Sequence, residues 1–133
     1  YAGLRHAEVE AIMKSQPIDF VQLTYNIADR DAEQRLLPLA QERKIAVIAN
    51  RPFREGALIR QVGRHRLPAW AAEFGARNWA QFLLKFIVSH PAVTVAIPAT
   101  SSAGHMAENM GALYGRLPSP ELRRRMAQHF ESL

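Results

Sequence analysis

Polar residues gather just after each of three short, apolar, β-prone runs, and this recurrence constrains the fold more than any other feature of the chain. Residues 20–26 (FVQLTYN) form the first run and its exit, residues 46–53 (AVIANRPF) the second, and residues 93–102 (VTVAIPATSS) the third. Helical patterns lie between and after them. Alternation of this kind predicts a parallel sheet. In parallel α/β architecture ligands bind at the carboxyl ends of the strands. The polar clusters therefore mark a site before its chemistry is known.

The punctuation between these runs is consistent with that order. A helix is expected over residues 5–15, with Ala7, Ile12 and Met13 on one face and Pro17 ending it. A strand follows over 18–25, then a polar loop in which Asp29 or Asp31 offers an N-cap. Residues 32–44 are helical in pattern, with Leu36, Leu37, Leu39 and Ala40 inward. Pro38 inside that run predicts a kink or two short helices. The all-apolar run at 45–49 fits a parallel strand covered on both faces. A long connection over 51–66 holds one helical turn near Leu58. A short helix then runs from Pro68 to Phe74, stopped by Gly75. Asn78 caps a helix over 79–89, with Phe82, Leu83, Phe86 and Ile87 inward, and His90 and Pro91 break it. After a strand over 93–97, Ser101 or Ser102 caps a helix through Leu113. Ser119 and Pro120 start the last one.

Three such units and a leading helix make about half of a (β/α)8 barrel, which typically needs roughly 250 residues. At 133 residues the chain is long enough for a real core. The expected fold is thus α/β, the C-terminal half of a (β/α)8 TIM barrel, with residues 1–133 an incomplete portion of one barrel domain. The start at Tyr1, without an initiator methionine, adds the expectation of a fragment or processed product.

Composition removes several kinds of chemistry. Without cysteine there are no disulfides, thiolate zinc sites or cysteine nucleophiles. The histidines form no metal-ligand spacing, so no metal site is expected. No apolar run reaches the roughly 18 residues needed to span a membrane, and the first residues lack the pattern of a signal peptide, so none is expected there. The net charge of +5 suits either surface solubility or an anionic ligand. The basic runs at 64–66 and 123–125 are not interleaved with aromatics, so nucleic acid is not an expected partner. There is no Gly-rich dinucleotide fingerprint, Walker motif or nucleophile elbow.

The candidate residues follow the strands. Gln22 sits within an apolar strand, where a neutral amide must find a partner. That partner is either a neighbouring strand or a ligand amide. Tyr25 at the strand exit serves packing or substrate contact. Asn50, Arg51, Pro52 and Phe53 follow the second strand in a loop whose arginines suit phosphate, with Arg54 the better candidate for a solvated charge. Thr100, Ser101 and Ser102 precede a helix start, which suits either phosphate or ordinary capping. His105, Glu108 and Asn109 stand on the following helix, at a spacing that brings them to the same ligand or leaves them on the surface.

Taken in order and spacing, these residues resemble the C-terminal half of an aldo-keto reductase. Residues 19–26 resemble the family's sixth strand with its glutamine. Residues 36–40, 45–49, Pro52 and 56–58 resemble the sixth helix, the seventh strand and its loop. Residues 96–102 with Glu108 and Asn109 resemble the eighth strand and the adenine-side helix. The likeness runs from about residue 1 to 117.

The resemblance implies a barrel that binds NADP(H) without a Rossmann domain and reduces aldehydes or ketones. It assigns Gln22 to the nicotinamide carboxamide and Phe53 with its neighbours to the pyrophosphate. Thr100 and His105 would lie near the adenosine 2′-phosphate, and Glu108 and Asn109 near adenine. Asn50 stands where the family often has an aromatic that stacks on nicotinamide. Ala99 and His105 stand where basic residues are usual, so NADP(H) and NAD(H) both remain as cofactors. The family's catalytic aspartate, tyrosine, lysine and histidine come from strands two to four, which would precede Tyr1, and Tyr25 is not that tyrosine. The implied partners are a small carbonyl substrate and either the missing N-terminal half of the barrel or a second copy. A cytoplasmic location is expected. The alternative is a non-catalytic half-barrel that binds a nucleotide or associates with itself.

Overall fold

A computed structural model describes residues 5–133. In chain order the elements are α1 (His6–Ser15), β1 (Phe20–Thr24), α2 (Leu36–Arg43), β2 (Ala46–Asn50), α3 (Ala57–Val62), α4 (Trp79–Val88), β3 (Val95–Ala96), α5 (Ala103–Met110) and α6 (Pro120–Glu131). Short 3₁₀ helices at Asp31–Glu33, Ala69–Phe74 and Gly111–Leu113 join some of them. The strands form a parallel sheet in the order β1-β2-β3, with Gln22 beside Ile48 and Ile48 beside Val95.

Pro38 shapes the first crossover. The expected helical run is divided into the Asp31–Glu33 turn and α2. Pro38 is the third residue of α2, where the missing N–H has no intrahelical carbonyl to meet. Leu36, Leu37, Leu39 and Ala40 are buried as expected. Neither Asp29 nor Asp31 caps this segment. Arg30 holds the cap position without a side-chain bond, and the Asp29 carboxylate is taken by Arg54 and Asn26. Asn78 caps α4 through Gln81 N–H, Ser102 caps α5 through His105 N–H, and Ser119 caps α6 through Leu122 N–H.

The helices cover one face of the sheet. Val21, Leu23, Val47 and Ala49 point into a core with Leu36 and Leu37 of α2, Phe82, Leu83, Phe86 and Ile87 of α4, and Met126 and Phe130 of α6. Each fully buried leucine or phenylalanine contributes roughly 1.5–3 kcal/mol. The other face is open: Phe20 is 60% exposed, Val95 42% and Ile97 44%. The expectation that 45–49 is covered on both faces therefore holds for one face only, because Ala46 and Ile48 are half-buried. The helix α1 also differs from expectation. Ala7 and Ile12 are exposed, and only Met13 is fully buried, with Val9 partly packed one turn before it. A narrow stripe is all that a peripheral helix needs.

The third strand is shorter than the pattern over 93–97 suggests. Thr94 N–H still bonds to Val47 O at 3.0 Å and Ile97 N–H to Ala49 O at 3.1 Å. Pro98, which has no N–H, then ends the ladder. No described helix is long and apolar enough to cross a membrane.

Candidate functional site

The turn that leaves β2 is held in an uncommon conformation. Arg51, Arg54 and Glu55 have φ of 52°, 46° and 57°, and Gly56 has 83°. Non-glycine residues in this left-handed region cost about 1–2 kcal/mol each, so the surroundings must determine the shape. They do so through Asn26, which is 0% exposed. Its Oδ1 accepts from Ala28 N–H (2.9 Å) and Asp29 N–H (2.8 Å). Its Nδ2 donates to Asp29 Oδ2 (2.8 Å) and to Arg51 O (3.0 Å). Asp29 in turn receives the Arg54 guanidinium, which holds the carboxyl below its ordinary value. Within the turn, Arg54 N–H bonds to Arg51 O and Ala57 N–H to Arg54 O. One buried amide thus joins the exit of β1 to the exit of β2.

Beside this turn opens a cleft of about 650 Å³ at the carboxyl ends of β2 and β3. Asn50, Arg51, Pro52 and Phe53 line it from the turn, Thr100 from the exit of β3, and His105, Glu108 and Asn109 from α5. Glu55, Gly56, Ile59, Arg60, Ala80, Ile97 and Ala99 complete it. Its walls are largely apolar, and its charges stand around them. Asn50 is nearly buried, and its Oδ1 accepts from Thr24 Oγ1 at 2.8 Å. That bond fixes the amide at the base of the cleft. No tyrosine, lysine or aspartate is among the described residues that line it. The cleft therefore offers apolar surface for flat rings and guanidinium groups for anionic parts of a ligand.

Several candidates lie outside it. Gln22 is exposed on the open face of the sheet, between Phe20 and Thr24, so it needs no protein partner. Ser101 is exposed and does not line the cleft. Of the neighbouring hydroxyls, Ser102 Oγ caps α5, and Thr100 Oγ1 accepts from Ser102 N–H at 3.1 Å. Tyr25 faces the helices instead of the cleft. Its hydroxyl donates to Glu33 and accepts from Arg123, its ring packs on Phe86, and burial pushes its pKa upward.

Sequence reasoning missed three supporting residues. Asn26 is placed by the sequence at the exit of the first strand, with no role of its own. Arg60 stands on α3, beyond the turn. Gln81 is buried on α4, accepting from Arg77 N–H (3.0 Å) and donating to Glu108 O (2.9 Å), which ties α5 to α4. The Asn78-x-x-Gln81 spacing, a capping-box pattern, was the available signal for it.

The aldo/keto reductase family model matches residues 1–126. The chain is 29% identical over 102 residues to the methylglyoxal reductase YeaE of Escherichia coli (strain K12), covering 76% of this chain and 36% of that protein. An aldo/keto reductase from Klebsiella pneumoniae, solved with NADP and acetate, superposes with a TM-score of 0.75 at 27% identity, over 92% of this chain and 44% of that one. A Klebsiella pneumoniae aldo-keto reductase solved with NADPH gives 0.72 at 28%, over the same shares. The chain thus spans less than half the length of these relatives, and its open sheet with one covered face is part of a (β/α)8 barrel. With the family model matching nearly its whole length, the chain belongs to the aldo/keto reductase family.

Proposed function

We propose that this chain supplies the dinucleotide-binding part of an NADP(H)-dependent reductase of aldehydes or ketones, and that the catalytic tetrad lies outside it. The observation that carries this reading is the cleft itself, which gathers Asn50–Phe53, Thr100, His105, Glu108 and Asn109 at the carboxyl ends of two strands. The donor set suits such a cofactor: apolar walls for its rings, guanidinium groups for its phosphates, and amides for its polar edges. Phe53 and its neighbours take the pyrophosphate, Thr100 and His105 the adenosine 2′-phosphate, and Glu108 and Asn109 the adenine. Gln22, on the open face, takes the nicotinamide carboxamide.

When bound, the nicotinamide supplies a hydride to the carbonyl carbon. This chain's share is to bind and orient. The buried Thr24–Asn50 pair and the Asn26 network hold the turn in one shape before the ligand arrives, which lowers the ordering cost of binding. The Tyr25 hydroxyl is engaged by Glu33 and Arg123 against the helices, away from the cleft. The remainder of a barrel, or a second copy, completes the site.

The test is NADPH titration by fluorescence, followed by NADPH oxidation with methylglyoxal as the carbonyl. NADPH binding without turnover by this chain supports the proposal. Turnover by this chain alone overturns the absence of the tetrad, and lack of NADPH binding overturns the cofactor reading. The apolar open face, with Phe20, Val95 and Ile97 exposed, favours a second reading as a self-associating half-barrel. Sedimentation as a monomer at micromolar concentration would rule that reading out.

A further inference from the structure

The arginines around the cleft are not equivalent. Arg51 pairs with Glu55 at 3.3 Å, and Arg54 pairs with the Asp29 carboxylate. Arg60 enters the cleft from α3, is exposed, and has neither a carboxylate nor a hydrogen-bond partner among the described residues. Its guanidinium lies beside Gly56, where an added Cβ would stand 3.0 Å from Arg60 Nη1. The guanidinium therefore lies over the bare turn at the mouth of the cleft, where a side chain at position 56 would crowd it. Glu108, from α5, is the lining carboxylate without an ion-pair partner among the described residues. The α3 side thus carries the unpaired cation of the cleft lining, among the described residues. A planar fork of five N–H donors with no internal counter-ion matches the oxygens of a phosphoryl group.

We propose that Arg60 holds a phosphoryl group of the bound dinucleotide and thereby sets the affinity of the cleft for its cofactor. This rests on the reading of the cleft as a dinucleotide site. It gives the cleft a cation from α3, a source that the residue pattern after the strands did not reveal.

The experiment compares the wild-type protein with Arg60→Gln and Arg60→Lys by calorimetric titration with NADP+, NAD+ and inorganic pyrophosphate. Arg60 is exposed, and the fold of each variant is checked by circular dichroism. Arg60→Gln is expected to weaken NADP+ binding about tenfold, as loss of a charge-assisted hydrogen bond does, with Arg60→Lys recovering part of it. A loss confined to NADP+ assigns the residue to the 2′-phosphate. An equal loss for NADP+ and NAD+ assigns it to the pyrophosphate. Unchanged binding of both by Arg60→Gln overturns the proposal while leaving the cofactor site standing. If the wild type binds neither dinucleotide, Arg60-dependent binding of pyrophosphate overturns the dinucleotide reading alone. Absence of that binding too overturns both.

Discussion

Replacing Gly111 by alanine would set a methyl group 2.2 Å from Gln81 Nε2. The backbone does not object, since Gly111 has φ −58° and ψ −22°. In that conformation alanine alone would stabilise the chain by about 0.4–1 kcal/mol through the unfolded state. The collision decides the sign. The Gln81 amide must leave, and with it goes the bond to Glu108 O, which contributes about 0.5–1.5 kcal/mol. Crowding in the α4–α5 contact adds roughly 1–3 kcal/mol. A net destabilisation of about 0.5–4 kcal/mol follows, read as a lower urea midpoint at unchanged slope. The same substitution made in Gln81→Ala meets no side chain at this point and should stabilise by about 0.4–1 kcal/mol. An equal cost in both backgrounds would refute the claim that Gln81 positions α5.

Other perturbations test the remaining supports. Asn50→Ala removes the acceptor of the buried Thr24 hydroxyl and should cost about 1–3 kcal/mol in urea unfolding; a value near zero would mean water replaces it. Lys85 is fully buried, and its Nζ donates to Tyr114 O at 2.6 Å and Arg116 O at 3.2 Å. Lys85→Met should therefore cost about 1–3 kcal/mol and speed amide exchange over residues 114–116. His90 is held below its ordinary pKa of 6.5 by burial and then by Arg123. The unfolded chain takes up its proton first as pH falls, so stability should be full above 6.5 and decline below it. His90→Gln should flatten that decline in a thermal-melt series, and an unchanged slope would assign it to other groups.

The strand exits were legible in the sequence because polar residues after apolar runs report a parallel sheet and its ligand end directly. The cleft residues on the turn and on α5 were found this way. Gln22 was read as buried because its neighbours are apolar, yet burial depends on whether the opposite face of the sheet is covered. Sequence pattern along one strand carries no information on that. Ile12 was misplaced for a similar reason: helical periodicity identifies a possible face, while the depth of burial is set by what α1 packs against. The Asn26 network escaped notice because its partners come from 25 residues away and from its own turn. Arg60 escaped because it stands on α3, beyond the strand exit, and only the folded turn brings it beside Gly56 at the cleft.

The account stands most directly on where NADPH lands. Hydrogen–deuterium exchange of the protein with and without NADPH would show it peptide by peptide. Protection is predicted at residues 50–53 and 100–109, with little change at the separate hollow formed by Arg116, Ser119 and Arg125. Protection at that hollow instead, or none at the turn after β2 while NADPH is bound, would contradict the assignment of the cleft.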